Sequence, residues 1–381
     1  MTSTSEFMNF HLMSANGNFE ISFPAVRGIQ AGREYYVAMC PLDTAVRLIK
    51  VEIENEDIPP QLRAQRALNK SRVPAIARYM IENPQSYAFS SLTVSVSRAV
   101  SFVPFSNDVH TSKLGVLSVP YDATFLINDG QHRRAAIEQA LAENPELKHE
   151  TISVVIFVDQ GLKRSQQLFA DLNRYVVRPT PSLSILYDHR DPMALLALEV
   201  ADTVTVFKGM TEKAKATISN RSTKLFTLSS IFHANCEFLG KTKVKKITDR
   251  ERDLVITYWN EVAQHIPEWQ LAAQKKIAPS ELRRDYVHAH GIALRALARA
   301  GVDLVCQAPA VWKKSLVRLK NLDWSRSNAR IWEGRAMIAG KISKAHNNII
   351  LTSNLIKQTV GLALNPTEEL VETESAKGRT A

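Results

Sequence analysis

The chain is poor in cysteine: Cys40, Cys236 and Cys306 are its three thiols. Their odd number and wide spacing argue against a disulfide framework and give no zinc-knuckle pattern. So few thiols fit a reducing cytoplasm, which is the expected location. Long apolar runs are missing as well, and no stretch approaches the roughly 20 residues that a membrane-crossing helix needs. Residues 1–18 lack a basic start followed by an apolar segment, so they do not read as a signal peptide and are expected to be mobile. A Walker-type lysine loop, a dinucleotide glycine fingerprint and a His-Glu-x-x-His pair are also absent.

Positive charge, by contrast, is in excess. Across 381 residues, 48 Lys and Arg face 38 Asp and Glu, a formal charge of +10. That balance points towards polyanionic partners. The length suggests two domains, each able to bury a core.

The first half alternates strand and helix patterns. Ile21 to Val37 reads as short strands turning at Gly28 and Gly32, and Thr44 to Lys50 as a helix. Gln61 to Asn69 suits a second helix, and Val73 to Asn83 is amphipathic, with Pro74 in its first turn. Phe89 to Ser97 alternates like a half-buried strand, and Phe105 to Lys113 is a polar loop. The β-branched run Ile152 to Val158 is expected to be a fully buried strand, and Lys163 to Leu172 a helix. Beyond Pro179 the patterns are helical: Leu183 to Tyr187, Ala194 to Ala201, Lys224 to Leu239, Asp249 to His265, Glu281 to Arg299, Ala310 to Leu319 and Asn347 to Leu364. The expected fold class is therefore α+β, a mixed-sheet domain over residues 20–182 followed by a helical domain over 183–365. Residues 1–19 and 366–381 are expected to be flexible termini, the latter being polar and rich in Glu.

The most informative run is Phe125-Leu126-Ile127-Asn128-Asp129-Gly130-Gln131-His132-Arg133-Arg134. An apolar stretch ends in Asn-Asp-Gly, and a helix-forming segment follows at once, which predicts strand, tight turn and helix. A helix start offers unpaired N–H groups and the positive end of a dipole. With Asp129, Gly130, Gln131, His132, Arg133 and Arg134 gathered there, the turn is a candidate phosphate site. The plainer alternative is an ordinary turn with a basic helix start. A second polar group, Asp171, Asn173 and Arg174, has the residue types that hold a metal-bridged phosphate, although Asn-Arg also suits a plain helix end.

Cations cluster in two places. One holds Arg221, Lys224, Lys241, Lys243, Lys245 and Lys246; the other holds Lys313, Lys314 and further basic residues, interleaved with Trp312, Trp324 and Trp332. Both suit a phosphate backbone, while a solvated face over a Trp-containing core is the structural alternative. His288 and His290, two residues apart, face different sides of a helix and make a poor metal pair. Ser219 to Lys224 reads as a helix cap or a phosphate grip. No catalytic residue and no metal ligand is assigned.

Asn128 to Ile137 resembles the signature of the DGQHR-domain proteins. The segments Phe23 to Tyr36, Gln61 to Lys70, Phe169 to Arg174, Tyr187 to Pro192 and Ser219 to Leu228 resemble the DndB family of DNA sulfur modification proteins, and the likeness runs from about Phe23 to Leu364. The resemblance implies a regulator that binds promoter DNA and represses the phosphorothioation genes, with double-stranded DNA, other phosphorothioation proteins or a second copy as partners. An enzyme of the same system, a nucleotide hydrolase or DNA nickase, is the alternative. Gly130, His132 and Arg133 are also similar to the phosphate-gripping box of the ParB/sulfiredoxin-like fold, which implies a nucleoside triphosphate with Mg as ligand. Asp171, Asn173 and Arg174 are more loosely similar to that fold's second box, where a Glu stands in place of Asp171 and no residue corresponds to Leu172.

Overall fold

A two-residue hairpin opens the molecule. In the computed structural model, β1 (Glu20–Gln30) and β2 (Arg33–Pro41) pair antiparallel around Ala31 and Gly32, whose φ angles are +51° and +73°. Two consecutive positive φ values give the turn whose twist matches that of the flanking strands. The structure describes residues 19–49, 69–158, 167–168, 171–172, 179–242 and 244–380. The expected mobile start, the body of the Gln61–Asn69 helix and most of the Lys163–Leu172 helix lie outside these residues.

The chain divides into two compact units, 1–177 and 178–381. The first carries a seven-stranded mixed sheet in the order β4-β5-β1-β2-β7-β3-β6, formed with β3 (Leu92–Val96), β4 (Ser101–Pro104), β5 (Leu114–Pro120), β6 (Phe125–Asp129) and β7 (Thr151–Val158). All pairings are antiparallel except β3 with β7. Helices α1 (Leu42–Leu48), α2 (Val73–Glu82) and α3 (Gln131–Glu143) supply Ala45, Met80 and Ile137 to a core shared with Phe23, Val94 and Ile156. Each large aliphatic side chain buried there stabilises by about 1.5–3 kcal/mol.

Two expectations about burial exchange places. The β-branched run of β7 is only half covered: Ile152, Val154 and Ile156 enter the core, while Val155 and Phe157 are partly exposed and Phe157 stacks on Tyr35 at 5.6 Å. Strand β3, with its alternating pattern, is buried along its whole length. Its polar Ser95 is tolerated inside because the hydroxyl accepts a hydrogen bond from Asn128 Nδ2 at 2.7 Å. The polar loop after Phe105 is the tip of a further hairpin, whose strands β4 and β5 the sequence pattern does not reveal.

The second unit is mainly helical. Its helices are α4 (Pro181–Tyr187), α5 (Pro192–Thr203), α6 (Leu228–Leu239), α7 (Asp249–Gln264), α8 (Pro267–Ala273), α9 (Pro279–Asp285), α10 (Gly291–Leu304), α11 (Pro309–Leu316), α12 (Ala329–Trp332), α13 (His346–Val360) and α14 (Pro366–Thr380). Proline begins many of them, where its missing N–H costs nothing and its fixed φ suits the first turn. Thr248 starts α7 with a full capping box to Glu251. Helix α10 is buried nearly all round and forms the centre of this unit. The tail expected to be flexible is instead helix α14: Glu368 meets Lys357 Nζ at 2.6 Å, and Glu372 takes a two-pronged bond from Arg335 at 2.6 and 2.8 Å. Glu368 and Glu372 serve as internal counter-ions for cations of the same unit.

The single helix expected over Glu281 to Arg299 is broken. Helix α9 stops at Asp285, Tyr286 bridges to Ser325, and Val287 N–H donates to Trp324 O at 2.9 Å. The chain then restarts at Gly291, where a Cβ would stand 2.5 Å from Ser230 Oγ. The break buries His288, whose Nδ1 accepts from Trp269 Nε1 at 3.1 Å, and turns His290 Nε2–H onto Arg283 O at 2.8 Å. The two rings have separate partners.

Burial holds the imidazole of His290 at about 4, well below its ordinary 6.5, and nearby Arg326 and Lys344 add to the depression. Below pH 6.5 the unfolded chain takes up a proton that the folded chain refuses. The contribution of this histidine is therefore complete above pH 6.5 and disappears as pH falls to 4. We expect His290→Gln to reduce the acid-induced loss of stability in that window by about 3 kcal/mol relative to wild type. Urea titrations at a series of pH values will show this, and parallel curves for the two proteins would exclude the effect.

Candidate functional site

Strand β6 ends at Asp129, and Gly130 turns the chain with φ +99° into α3. A Cβ at Gly130 would stand 2.6 Å from Leu92 Cδ2, so both backbone angle and space demand glycine. No side chain caps the helix, which leaves its first N–H groups available to an anion. The strand–turn–helix read from the sequence is therefore present.

The side chains around the turn are more committed than their sequence suggests. Arg133 Nη2 pairs with Asp129 Oδ2 at 2.7 Å and donates to Ser91 O at 3.1 Å, while Nη1 bonds Ser90 Oγ. Arg134 is turned into the protein: Nε donates to Ile49 O at 2.7 Å, Nη2 to Val46 O at 2.5 Å, and Nη1 pairs with Glu138. Its guanidinium caps the end of α1 and the residue is buried, so it is a fastener in this structure rather than a phosphate contact.

His132 Nε2 accepts the Asn69 N–H at 3.0 Å, which puts the proton of the neutral ring on Nδ1. Burial, helped by Arg72, lowers its pKa and keeps the ring neutral at pH 7. Gln131 is half-buried and has no recorded partner among the described residues, and Lys70 and Arg72 are exposed. Asn69, Ser90 and Arg72 thus join the site by long-range folding, and none stands out in the sequence.

Asp171 accepts from Gln167 Nε2 at 2.7 Å, four residues earlier. Asn173 and Arg174 lie outside the described residues, as does Lys243. The remaining cations fall into two groups. Lys224 Nζ donates to Gly209 O at 2.8 Å, Lys241 pairs with Glu251, whose carboxyl it holds down at about 2, and Lys313 pairs with Glu261 at 2.6 Å. Arg221, Lys245, Lys246 and Lys314 are exposed and make no ion pair among the described residues. Trp312, Trp324 and Trp332 are buried, with Trp324 stacked on Trp332 at 5.3 Å, so they belong to the helical core and offer no face to a base.

The helical unit also contains a cleft that sequence reading misses, with a volume of about 700 Å³. The segment Ser219 to Lys224 wraps around Arg283, whose guanidinium donates to the carbonyls of Ser219 at 2.8 Å, Ser222 at 3.3 Å, Asn220 at 3.4 Å and Lys224. Arg326 in turn donates to Arg284 O and Gly340 O, each at 3.0 Å. Arg283, Arg284, Arg326 and Lys344 all line the cleft. The broken helix and the distant Lys344 come together only in the fold.

No curated protein and no solved structure matches the chain. A family model does, and its description places the protein in a class: DNA-sulfur modification-associated. It covers residues 23–363, nearly the whole chain, and the protein belongs to that family, DndB. Membership connects the protein with DNA phosphorothioation.

The geometry of the turn sets two residues apart. Arg134→Met is expected to cost about 2 kcal/mol, because the carbonyls of Val46 and Ile49 lose their donor. His132→Ala should cost less than about 1 kcal/mol, since one exposed N–H regains water. Chemical denaturation of both variants checks this, and equal losses would contradict the division.

Proposed function

We propose that the protein is a DNA-binding transcriptional repressor of the phosphorothioation genes, acting on promoter duplex. The observation that carries this reading is the set of exposed cations, Arg221, Lys245, Lys246 and Lys314, which have no internal counter-ion among the described residues while neighbouring lysines do. A protein of charge +10 that leaves such residues unpaired is suited to a phosphate backbone. Family membership supplies the DNA context.

The enzyme reading asks Asp129 or His132 to act as general base at the Gly130 turn. A base needs a free lone pair aimed at substrate. The Asp129 carboxylate is held by Arg133, and the Nε2 lone pair of His132 by the Asn69 amide. Both engagements favour a binding role for the turn, with the N–H groups of α3 as its phosphate contacts. A nucleoside triphosphate with Mg is the ligand proposed there, and Asn173 and Arg174 are proposed to assist. Further partners on this reading are other phosphorothioation proteins or a second copy of the chain.

Promoter affinity should fall steeply with salt, and Lys245→Ala with Lys246→Ala should weaken promoter and shuffled DNA alike, because backbone contacts carry no sequence information. The slope of log affinity against log salt should drop by about 2 in that variant. Deleting the protein should raise transcription of the modification genes while sulfur remains in the DNA. Unaltered transcription in the deletion strain, together with nucleotide turnover lost in His132→Ala, would favour the enzyme instead.

A further inference from the structure

The cleft at the break between α9 and α10 gathers four cations: Arg283, Arg284, Arg326 and Lys344. No Asp or Glu is among its lining residues. Arg284 alone of the four has a carboxylate partner, Asp285, at 2.8 Å. Arg283 and Arg326 donate to backbone carbonyls, which fix the guanidinium groups in place without cancelling their charge. Lys344 is exposed and has no ion-pair partner among the described residues. Like charges held this close repel one another, and an anion removes that cost.

The holding of the two arginines matters as much as their charge. Arg283 is fastened by four carbonyls of one loop and Arg326 by carbonyls of three residues, including Arg283 itself at 3.4 Å. Little side-chain freedom remains to be lost when a ligand arrives. Burial also presses the charge of Arg283, lowering its pKa from the ordinary value. The rest of the lining is mixed: Thr217 and Asn220 offer polar groups, and Ile218 offers apolar surface in front of the buried Leu225. A volume of about 700 Å³ lies in the range of small-molecule sites.

We infer that this cleft binds a phosphorylated small molecule of nucleotide size, with its phosphates on Arg284, Arg326 and Lys344 and its less polar part along Ile218. A concave site with fixed cations and an apolar portion suits a compact amphiphile better than a duplex, whose backbone meets extended basic surfaces. Its lining shares no residue with the Gly130 turn or with the exposed cations assigned to promoter DNA, so the inference stands or falls independently of the repressor reading.

The test uses the full chain and isothermal titration with ATP, AMP, a sugar phosphate, inorganic phosphate and a short random duplex. Arg284→Gln with Lys344→Gln replaces two exposed or rim residues, and the melting temperature is measured alongside. The expected result is AMP binding, measured without Mg, that weakens at least tenfold in this double variant, with the melting temperature of the unliganded protein and duplex affinity unchanged. AMP and the sugar phosphate differ in the apolar part, and tighter binding of AMP than of inorganic phosphate is expected. AMP binding, measured without Mg, that survives in the double variant but disappears in His132→Ala overturns the inference and assigns that ligand to the Gly130 turn. No binding of any phosphorylated small molecule at millimolar concentration overturns it too, as does a double variant that loses duplex binding alone.

Discussion

One guanidinium organises the centre of the helical unit's concave face. Arg283 draws four carbonyls of the Ser219 to Lys224 loop around itself, and its own carbonyl accepts from His290 and Arg326. A planar group with five donors is suited to this task, because it satisfies a non-helical loop that has no ladder of its own. The orientation of His290 and the placement of Arg326 both use the carbonyl of that one residue. Lysine at this position would keep the charge and lose most of the geometry.

In the first unit a different arginine has a comparable role. Arg134 reaches across 85 and 88 residues of sequence to the carbonyls of Ile49 and Val46 at the end of α1. The orphan carbonyls of a helix end are thereby satisfied by the start of another helix. The basic character of the Gly130 turn is thus largely structural: Arg134 fastens, Arg133 is balanced by Asp129, and His132 is neutral. The backbone of the turn is a helix start that no side chain caps.

Local chemistry was readable from the chain and distant pairing was not. The turn at Gly130 could be foreseen because an apolar strand, Asn-Asp-Gly and a helix-forming run lie within about 15 residues. The helical second unit could be foreseen from periodicity over many segments, and the family from long motifs. The break at Tyr286 escaped notice because its cause is a bridge to Ser325 and a close approach to Ser230. Likewise, β-branched residues in β7 signalled strand but not depth, since burial depends on what covers each face. The fate of each cation was hidden for the same reason: Lys241 and Lys245 look alike in the sequence, and among the described residues only Lys241 finds a Glu.

All five tryptophans, Trp259, Trp269, Trp312, Trp324 and Trp332, lie in the unit spanning 178–381, and all are buried. The sheet-bearing unit has none. Emission excited at the red edge of indole absorption is therefore a private signal of the helical unit. Tyrosines of the sheet unit, such as Tyr35, Tyr36 and Tyr87, contribute only at shorter wavelengths. Nature has in effect labelled one unit and left the other dark, so the melting of the helical unit can be followed by itself in an unmodified chain.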